Sequence, residues 1–272
     1  MDNVIETNRL AKRYGPVIAL DDVSVSVRRG DIYGLVGDNG AGKTTLFKLL
    51  CGLAFPTGGE MRLLGAHLPR DLERQRARVG AIIEQPGFYP GLSVGENMEC
   101  CRIQKGVPGK EVTGRLLEEV GLAYAKDRAC KGLSMGMKQR LAIALAILHD
   151  PELLILDEPI NGLDPIGIAE VRDFIRELCR ARGKTILLSS HILSEVALLA
   201  DDIGILDRGV LLEEASLADL ERRSRKELRF VVSDAAAAAE ILRRQLGAQD
   251  ICLCSANTLT LPGSGTDPGA AV

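Results

Sequence analysis

The chain has 272 residues, 46% hydrophobic and 26% charged, with a formal net charge of -3. At about 150 residues per domain, that length allows one large domain or one with an appendage, able to bury a full core without disulfide or metal staples. The near-neutral charge speaks against a strongly basic nucleic-acid binder and leaves only a local basic face open.

The amino-terminal residues MDNVIETNRLAKRYG are too polar for a signal peptide, and no run of about 18 apolar residues exists to span a bilayer. The seven cysteines include no CxxC pair: Cys100 and Cys101 are adjacent, and Cys252 and Cys254 flank one residue. Neither a zinc site nor a disulfide framework is indicated. The expectation is a soluble, cytosolic, globular protein.

In chain order, Val23, Val25 and Val27 alternate with serines, as a half-buried strand does. Arg28-Arg29-Gly30-Asp31 reads as a turn, and Ile32 to Val36 as a buried strand. A glycine-rich loop follows, and Lys43 to Leu53 has helical apolar spacing. From Pro86 to His149 the pattern is mostly helical, broken at Gly106–Gly109 and at Lys131-Gly132. Leu153 to Leu156 and Thr185 to Leu188 read as buried strands around an amphipathic helix, Val171 to Arg182. Ile203 to Asp207 and Val210 to Glu213 flank Arg208-Gly209, a hairpin signal. Strands alternating with helices predict an α/β core with a largely parallel sheet, into which the central helical block is inserted. Beyond Ser216 come a charged helix (Leu217 to Lys226), a strand (Leu228 to Val232), an alanine-rich helix (Ala235 to Leu246) and a strand pair near Ile251 to Leu261. These make a small βαβ-like appendage, and the last residues, GSGTDPGAAV, are expected to be disordered. No internal repeat is present.

Gly37-Asp38-Asn39-Gly40-Ala41-Gly42-Lys43-Thr44 fits G-x-x-x-x-G-K-[ST] in full, between a strand and a helix as the chemistry requires. Glycines let successive N–H groups turn inward onto phosphate oxygens, and the helix N-terminus adds partial positive charge. Lys43 would bridge the terminal phosphates, the Thr44 hydroxyl would ligate Mg²⁺, and Thr45 would reach the α-phosphate. Four apolar residues, Leu153 to Leu156, then deliver Asp157 and Glu158 to the ligand edge of a parallel sheet. Asp157 there would hold Mg²⁺ and Glu158 would polarise the water that attacks the γ-phosphate.

With these motifs in this order, residues 1–215 resemble the nucleotide-binding subunit of ABC transporters. Leu133-Ser134-Met135-Gly136-Met137-Lys138-Gln139-Arg140 resembles the family's LSGGQ-x-x-R signature, Asn161-Gly162-Leu163-Asp164 its D-loop, and His191 its switch histidine. Tyr14 matches the aromatic residue that stacks on adenine. The resemblance implies a head-to-tail pair of subunits sandwiching two ATP molecules. Ser134 and Gly136 would then approach the γ-phosphate held by the other copy, with Asp164 organising the facing site. His191 would hold the γ-phosphate and the attacking water.

Two departures narrow the group. Met135 and Met137 replace the signature's usual glycine and glutamine. Alignment on Pro86-Gly87-Phe88-Tyr89-Pro90 puts Glu84 at the Q-loop position as an additional Mg²⁺ ligand, with Gln85 the alternative if the loop shifts by one residue. Both departures, and the small appendage, resemble bacitracin- and lantibiotic-resistance exporters.

The resemblance implies a P-loop NTPase cassette, residues 1–215, built on a RecA-like, mostly parallel sheet with antiparallel strands and a helical subdomain at about 87–149. A small α/β appendage at 216–262 and a disordered tail at 263–272 complete the expected organisation. The expected activity is ATP hydrolysis driving an exporter of antimicrobial peptides or other drugs. The cofactors would be ATP and Mg²⁺. The partners would be a second copy, or a second ATPase subunit, and a separate integral membrane permease, with no nucleic acid. The permease would dock near Glu84 to Glu96, where Phe88 and Tyr89 are expected to be exposed, and hold this subunit at the inner face of the cell membrane. The competing expectation is a soluble ABC ATPase acting on ribosomes or DNA. A single cassette, with no basic cluster longer than Arg222-Arg223-Ser224-Arg225-Lys226, argues against it. A GTPase or small-molecule kinase lacks an NKxD motif and leaves the signature unexplained.

Overall fold

The amino-terminal segment forms three strands, β1 (Asn3–Tyr14), β2 (Val17–Val23) and β3 (Ser26–Arg28). Val23, Val25 and Val27 are all buried, as their alternation predicts, yet they do not belong to one strand. The Thr7 hydroxyl explains the break: it donates to the Val23 carbonyl at 3.0 Å and accepts from the Val25 N–H at 2.8 Å. The strand is therefore interrupted there, and β2 and β3 pair separately with β1. These observations come from a computed structural model that describes residues 2–68, 70–84, 87–223, 227–246 and 251–262. Gln85 and the expected disordered tail, 263–272, lie outside the described residues.

β4 (Ile32–Val36), buried at every position, leads through the glycine-rich loop into α1 (Lys43–Leu50). The helix stops short of the expected Leu53 because the chain turns at Gly52, where φ is +67°. Four short elements without a strong sequence signal follow: β5 (Gly58–Leu63), β6 (Ala66–Leu68), α2 (Leu72–Arg76) and β7 (Val79–Ile82). The helical block contains α3 (Val94–Gln104), α4 (Glu111–Glu119) and α5 (Met135–Ile147), with single 3-10 turns at Ala123–Ala125 and Cys130–Gly132. Ser93 and Glu96 form a reciprocal capping box that starts α3.

Next come β8 (Leu153–Leu156), α6 (Pro165–Arg180), β9 (Thr185–Ser190), α7 (Leu193–Ala197), β10 (Asp202–Asp207) and β11 (Val210–Ser216). α6 begins at Pro165, ahead of the expected Val171. Asp164 caps it by accepting from the Gly167 N–H at 3.1 Å, and proline at the first helical position needs no N–H partner.

A six-stranded sheet in the order β11-β10-β4-β9-β8-β7 carries the site; β7, β8, β9, β4 and β10 run parallel and only β11 is antiparallel. A second, antiparallel sheet joins β2-β1-β5-β6, with β3 beside β1. Leu46, Phe47, Leu49 and Leu50 of α1 enter one core with Leu10 and Leu63 of the antiparallel sheet and Leu35, Ile155 and Leu187 of the parallel one. Each such buried side chain contributes about 1.5–3 kcal/mol. The helix that follows the phosphate loop is thus clamped by both sheets.

The chain divides into two compact units, Met1–Leu217 and Ala218–Val272. The second unit contains most of α8 (Leu217–Arg223), then β12 (Glu227–Val231), α9 (Ala235–Leu246), β13 (Cys252–Ser255) and β14 (Thr258–Pro262). The strands are ordered β12-β14-β13 and both pairings are antiparallel, so β12 and β13, joined through α9, run parallel to each other as in a βαβ unit, with β14 inserted between them. Ala235 and Ala239, one helical turn apart, pack α9 onto Leu259 and Leu261. Among the described residues, no helix is long and apolar enough to cross a membrane.

Candidate nucleotide site

The phosphate loop is shaped by glycines that no other residue could replace without movement. Gly42 adopts φ +112°, and a Cβ there would lie 2.6 Å from the Ala19 carbonyl oxygen; a Cβ on Gly37 would lie 2.2 Å from that of Leu206. α1 begins at this loop with Gly42 as its cap residue, no side-chain cap and no acid in its first turn. Its leading N–H groups and its dipole are therefore available to an anion. A cavity of about 240 Å³ opens there, lined by Asn39, Gly40, Lys43, Thr44, Thr45 and Glu158 among others.

Lys43 is almost wholly buried. Its ammonium donates to the carbonyls of Gly37 at 2.6 Å and Asp38 at 3.2 Å, and lies 3.3 Å from Glu158 Oε1. The last is an ion-pair distance without the alignment of a hydrogen bond, so that oxygen makes no directed bond. Glu158 Oε2 is 2.9 Å from His191 Nδ1. Lysine, glutamate and histidine thus form one chain across the mouth of the loop.

Beside it, the Thr44 hydroxyl donates to Asp157 Oδ2 at 2.8 Å. A hydroxyl and a carboxylate from two rigid elements make an all-oxygen donor pair, which fits a hard divalent cation such as Mg²⁺. Thr44 stands in the first turn of α1, after the loop that follows β4, and Asp157 directly follows β8, its N–H donating to the Ile82 carbonyl of β7 at 2.8 Å. The residues on either side of this pair are held in the left-handed region, Glu84 at φ +62° and Glu158 at φ +49°. Such backbone costs on the order of 1 kcal/mol or more for a residue with a Cβ and clusters where geometry is imposed by function.

Glu84 has its N–H 3.4 Å from Asp157 Oδ2, but its carboxylate turns away to Lys48 Nζ at 2.6 Å. The bond to Glu84 raises the Lys48 pKa above its ordinary value. The structure therefore brings the backbone of Glu84, not its side chain, to the Thr44–Asp157 pair. Tyr14 ends β1 opposite Val17, which lines the cavity, while its own exposed ring carries the Lys12 ammonium 4.6 Å from its centre. Ser134 caps α5, accepting from the Met137 N–H at 3.2 Å, and Gly136 lies in the first turn of that helix. Neither lines the cavity at the phosphate loop of its own chain, and Asp164 is engaged in capping α6.

One residue of the site carries no motif. Ser189, fully buried in β9, donates to Asp157 Oδ1 at 2.6 Å and accepts from the Glu158 N–H at 2.8 Å. In sequence it is one of two serines closing an apolar strand, and only their position before His191 could have drawn attention to it.

The family model described as ABC transporter matches residues 20–161. The bacitracin transport ATP-binding protein BcrA of Enterococcus faecalis is 48% identical over 242 residues, covering 89% of this chain and 79% of that protein. A solved ATP-binding subunit of an ABC transporter superposes with TM-score 0.72 at 34% identity, over 81% of this chain and 92% of that one. A bacterial ABC transporter cassette solved as a dimer gives TM-score 0.71 at 25% identity, over 78% and 98% of the two chains.

Proposed function

The chain belongs to the ABC transporter family as an ATP-binding subunit with ATPase activity, and from that premise we propose that it powers a separate membrane permease that exports bacitracin or a related antimicrobial peptide. The observation that carries the catalytic part is the Lys43–Glu158–His191 chain beside the Thr44–Asp157 pair. The BcrA relative supplies the cargo class, through the transport named for it.

In this reading Lys43 would leave the loop carbonyls for the terminal phosphates of ATP, and Thr44 with Asp157 would hold Mg²⁺. The metal would neutralise charge on the phosphates and fix their orientation. Glu158, freed from Lys43, orients a water and takes up its proton through Oε1, while His191 keeps Oε2 in place. Ser134 and Gly136 stand at the start of α5 and do not line the phosphate-loop cavity of their own chain, as groups serving a second copy would not. A head-to-tail pair, of two copies or with a second ATPase subunit, is thus part of the reading. The permease would cover the region around Gly87, Tyr89, Cys101 and Gln104, where two cavities of about 450 and 520 Å³ meet, and would hold the subunit at the inner membrane face. Tyr89 is exposed there, whereas Phe88 is half-buried and faces the cavity shared with Asp157, so only Tyr89 keeps the expected contact role.

Glu158→Gln tests this directly. ATP binding should persist or tighten up to about fivefold as Lys43 loses its competitor, while kcat falls at least about a hundredfold, near 2.7 kcal/mol in barrier. An ATP-bound dimer should accumulate, detected by light scattering. Turnover at the wild-type rate would remove Glu158 from the catalytic role. Copurification with a protein carrying several apolar 20-residue segments tests the permease, and bacitracin tolerance of a strain expressing both tests the cargo.

A further inference from the structure

Both acids of the site are held by a single hydroxyl. Ser189 lies in β9 one position beyond the last β8 pair, Leu156↔Leu188, which brings it level with Asp157. Its neighbours on β9, Ile186 to Leu188, are buried and apolar, and alanine or valine would suit an all-apolar strand there equally well. A buried hydroxyl is unfavourable unless it is used. Here its proton goes to Asp157 Oδ1 and its lone pair takes the Glu158 N–H.

Two constraints follow. With Oδ1 tied to Ser189, Asp157 can present only Oδ2 to the Thr44 hydroxyl, so the carboxylate is locked about χ2. With its N–H pinned, Glu158 is held in its left-handed conformation, and the same strand leads two residues on to His191, which grips the Glu158 carboxylate. β9 and the residue that follows it therefore hold Glu158 at both ends. We propose that Ser189 is a positioning residue that sets the metal-side carboxylate of Asp157 and the water-side carboxylate of Glu158 as one unit. This rests on the ATPase reading of the site.

The test compares Ser189→Ala with Ser189→Thr, which restores the hydroxyl, in the full chain. Mn²⁺ binding to the ADP-loaded protein is read by the electron paramagnetic resonance of free Mn²⁺, alongside ATP kcat, ATP affinity in EDTA and the melting temperature. For Ser189→Ala, Mn²⁺ affinity and kcat should each fall about tenfold or more, the effect of losing a charge-assisted hydrogen bond and a pinned backbone. Metal-free ATP affinity should stay within about twofold, because the phosphate loop is untouched, and Ser189→Thr should recover most of both losses. In a Glu158→Gln background, Ser189→Ala should weaken Mn²⁺ as before yet lower kcat little further. Mn²⁺ affinity and kcat both within about twofold of wild type would overturn the proposal. So would parallel losses of Mn²⁺ affinity, metal-free ATP affinity and melting temperature that threonine fails to repair, since that pattern belongs to packing. A wild-type chain that bound Mn²⁺ and ADP without hydrolysing ATP would count against the ATPase reading, while the Mn²⁺ comparison still decided Ser189.

Discussion

Lys43→Met separates two roles that one ammonium performs. Without nucleotide, methionine preserves the buried stem but leaves the Gly37 and Asp38 carbonyls and Glu158 Oε1 without their cation. Unsatisfied buried acceptors cost about 1–3 kcal/mol each, offset by no longer burying a charge, so the free protein should lose about 2 kcal/mol. For a cassette of this size that lowers the melting temperature by about 4–8 °C. With nucleotide, two charge-assisted contacts to phosphate would be worth about 3–6 kcal/mol, less the roughly 2 kcal/mol needed to detach the ammonium from the loop. The net loss of about 1–4 kcal/mol predicts ATP binding weaker by about 5- to 1000-fold. Titration calorimetry with ATP and a thermal melt of the free protein measure the two terms separately. Nucleotide affinity within about threefold of wild type, or an unchanged melt, would refute the account of Lys43 as a group that exchanges carbonyls for phosphates.

Asp164→Ala should destabilise the protein by about 1 kcal/mol in chemical denaturation through loss of the α6 cap, and Asp164→Ser should restore that stability. If serine also restored full ATP turnover, Asp164 would have no role beyond capping. The Glu152 carboxylate, held by Arg78 at 2.7 and 2.9 Å and by Arg29 at 3.0 Å, is pulled from 4.5 to about 2, chiefly by the Arg78 bonds. A depressed carboxylate stabilises above its unfolded value and loses that contribution as pH falls from about 4.5 to 2. Arg78→Met should therefore cost at most about 1 kcal/mol at neutral pH, since both partners are substantially solvated, and the gap to wild type should close as pH approaches 2. Urea melts across that range check it; a gap independent of pH would sink the assignment.

The phosphate loop, Asp157 and Glu158 were legible because their chemistry demands particular residues at fixed spacing between a buried strand and a helix. Elements that pack without such demands were not. β7 has four residues, yet it sets the Asp157 backbone; its pattern, Val79-Gly80-Ala81-Ile82, is too short to show a period. The start of α6 is written in Asp164-Pro165, a cap followed by a helix-initiating proline, but the same aspartate also fits a D-loop, so its residue type alone does not separate the two roles. The motif puts the Glu84 backbone beside the Thr44–Asp157 pair, but which way its carboxylate turns depends on a cation elsewhere, here Lys48 one helical turn beyond Thr44. The insertion of β14 between β12 and β13 in the second unit was hidden for a similar reason: succession along the chain does not specify which strand takes the middle place.

The uncapped start of α1 has a consequence for how the free chain behaves. Most helices carry their own terminator; this one relies on whatever anion arrives, so a bound phosphate completes the secondary structure as well as occupying a site. A ligand present at 100 times its Kd adds about 2.7 kcal/mol to folding stability. The amides from Gly42 to Thr45 should accordingly exchange their hydrogens and admit proteases far more readily in the empty protein, with the nucleotide serving as a removable piece of its architecture.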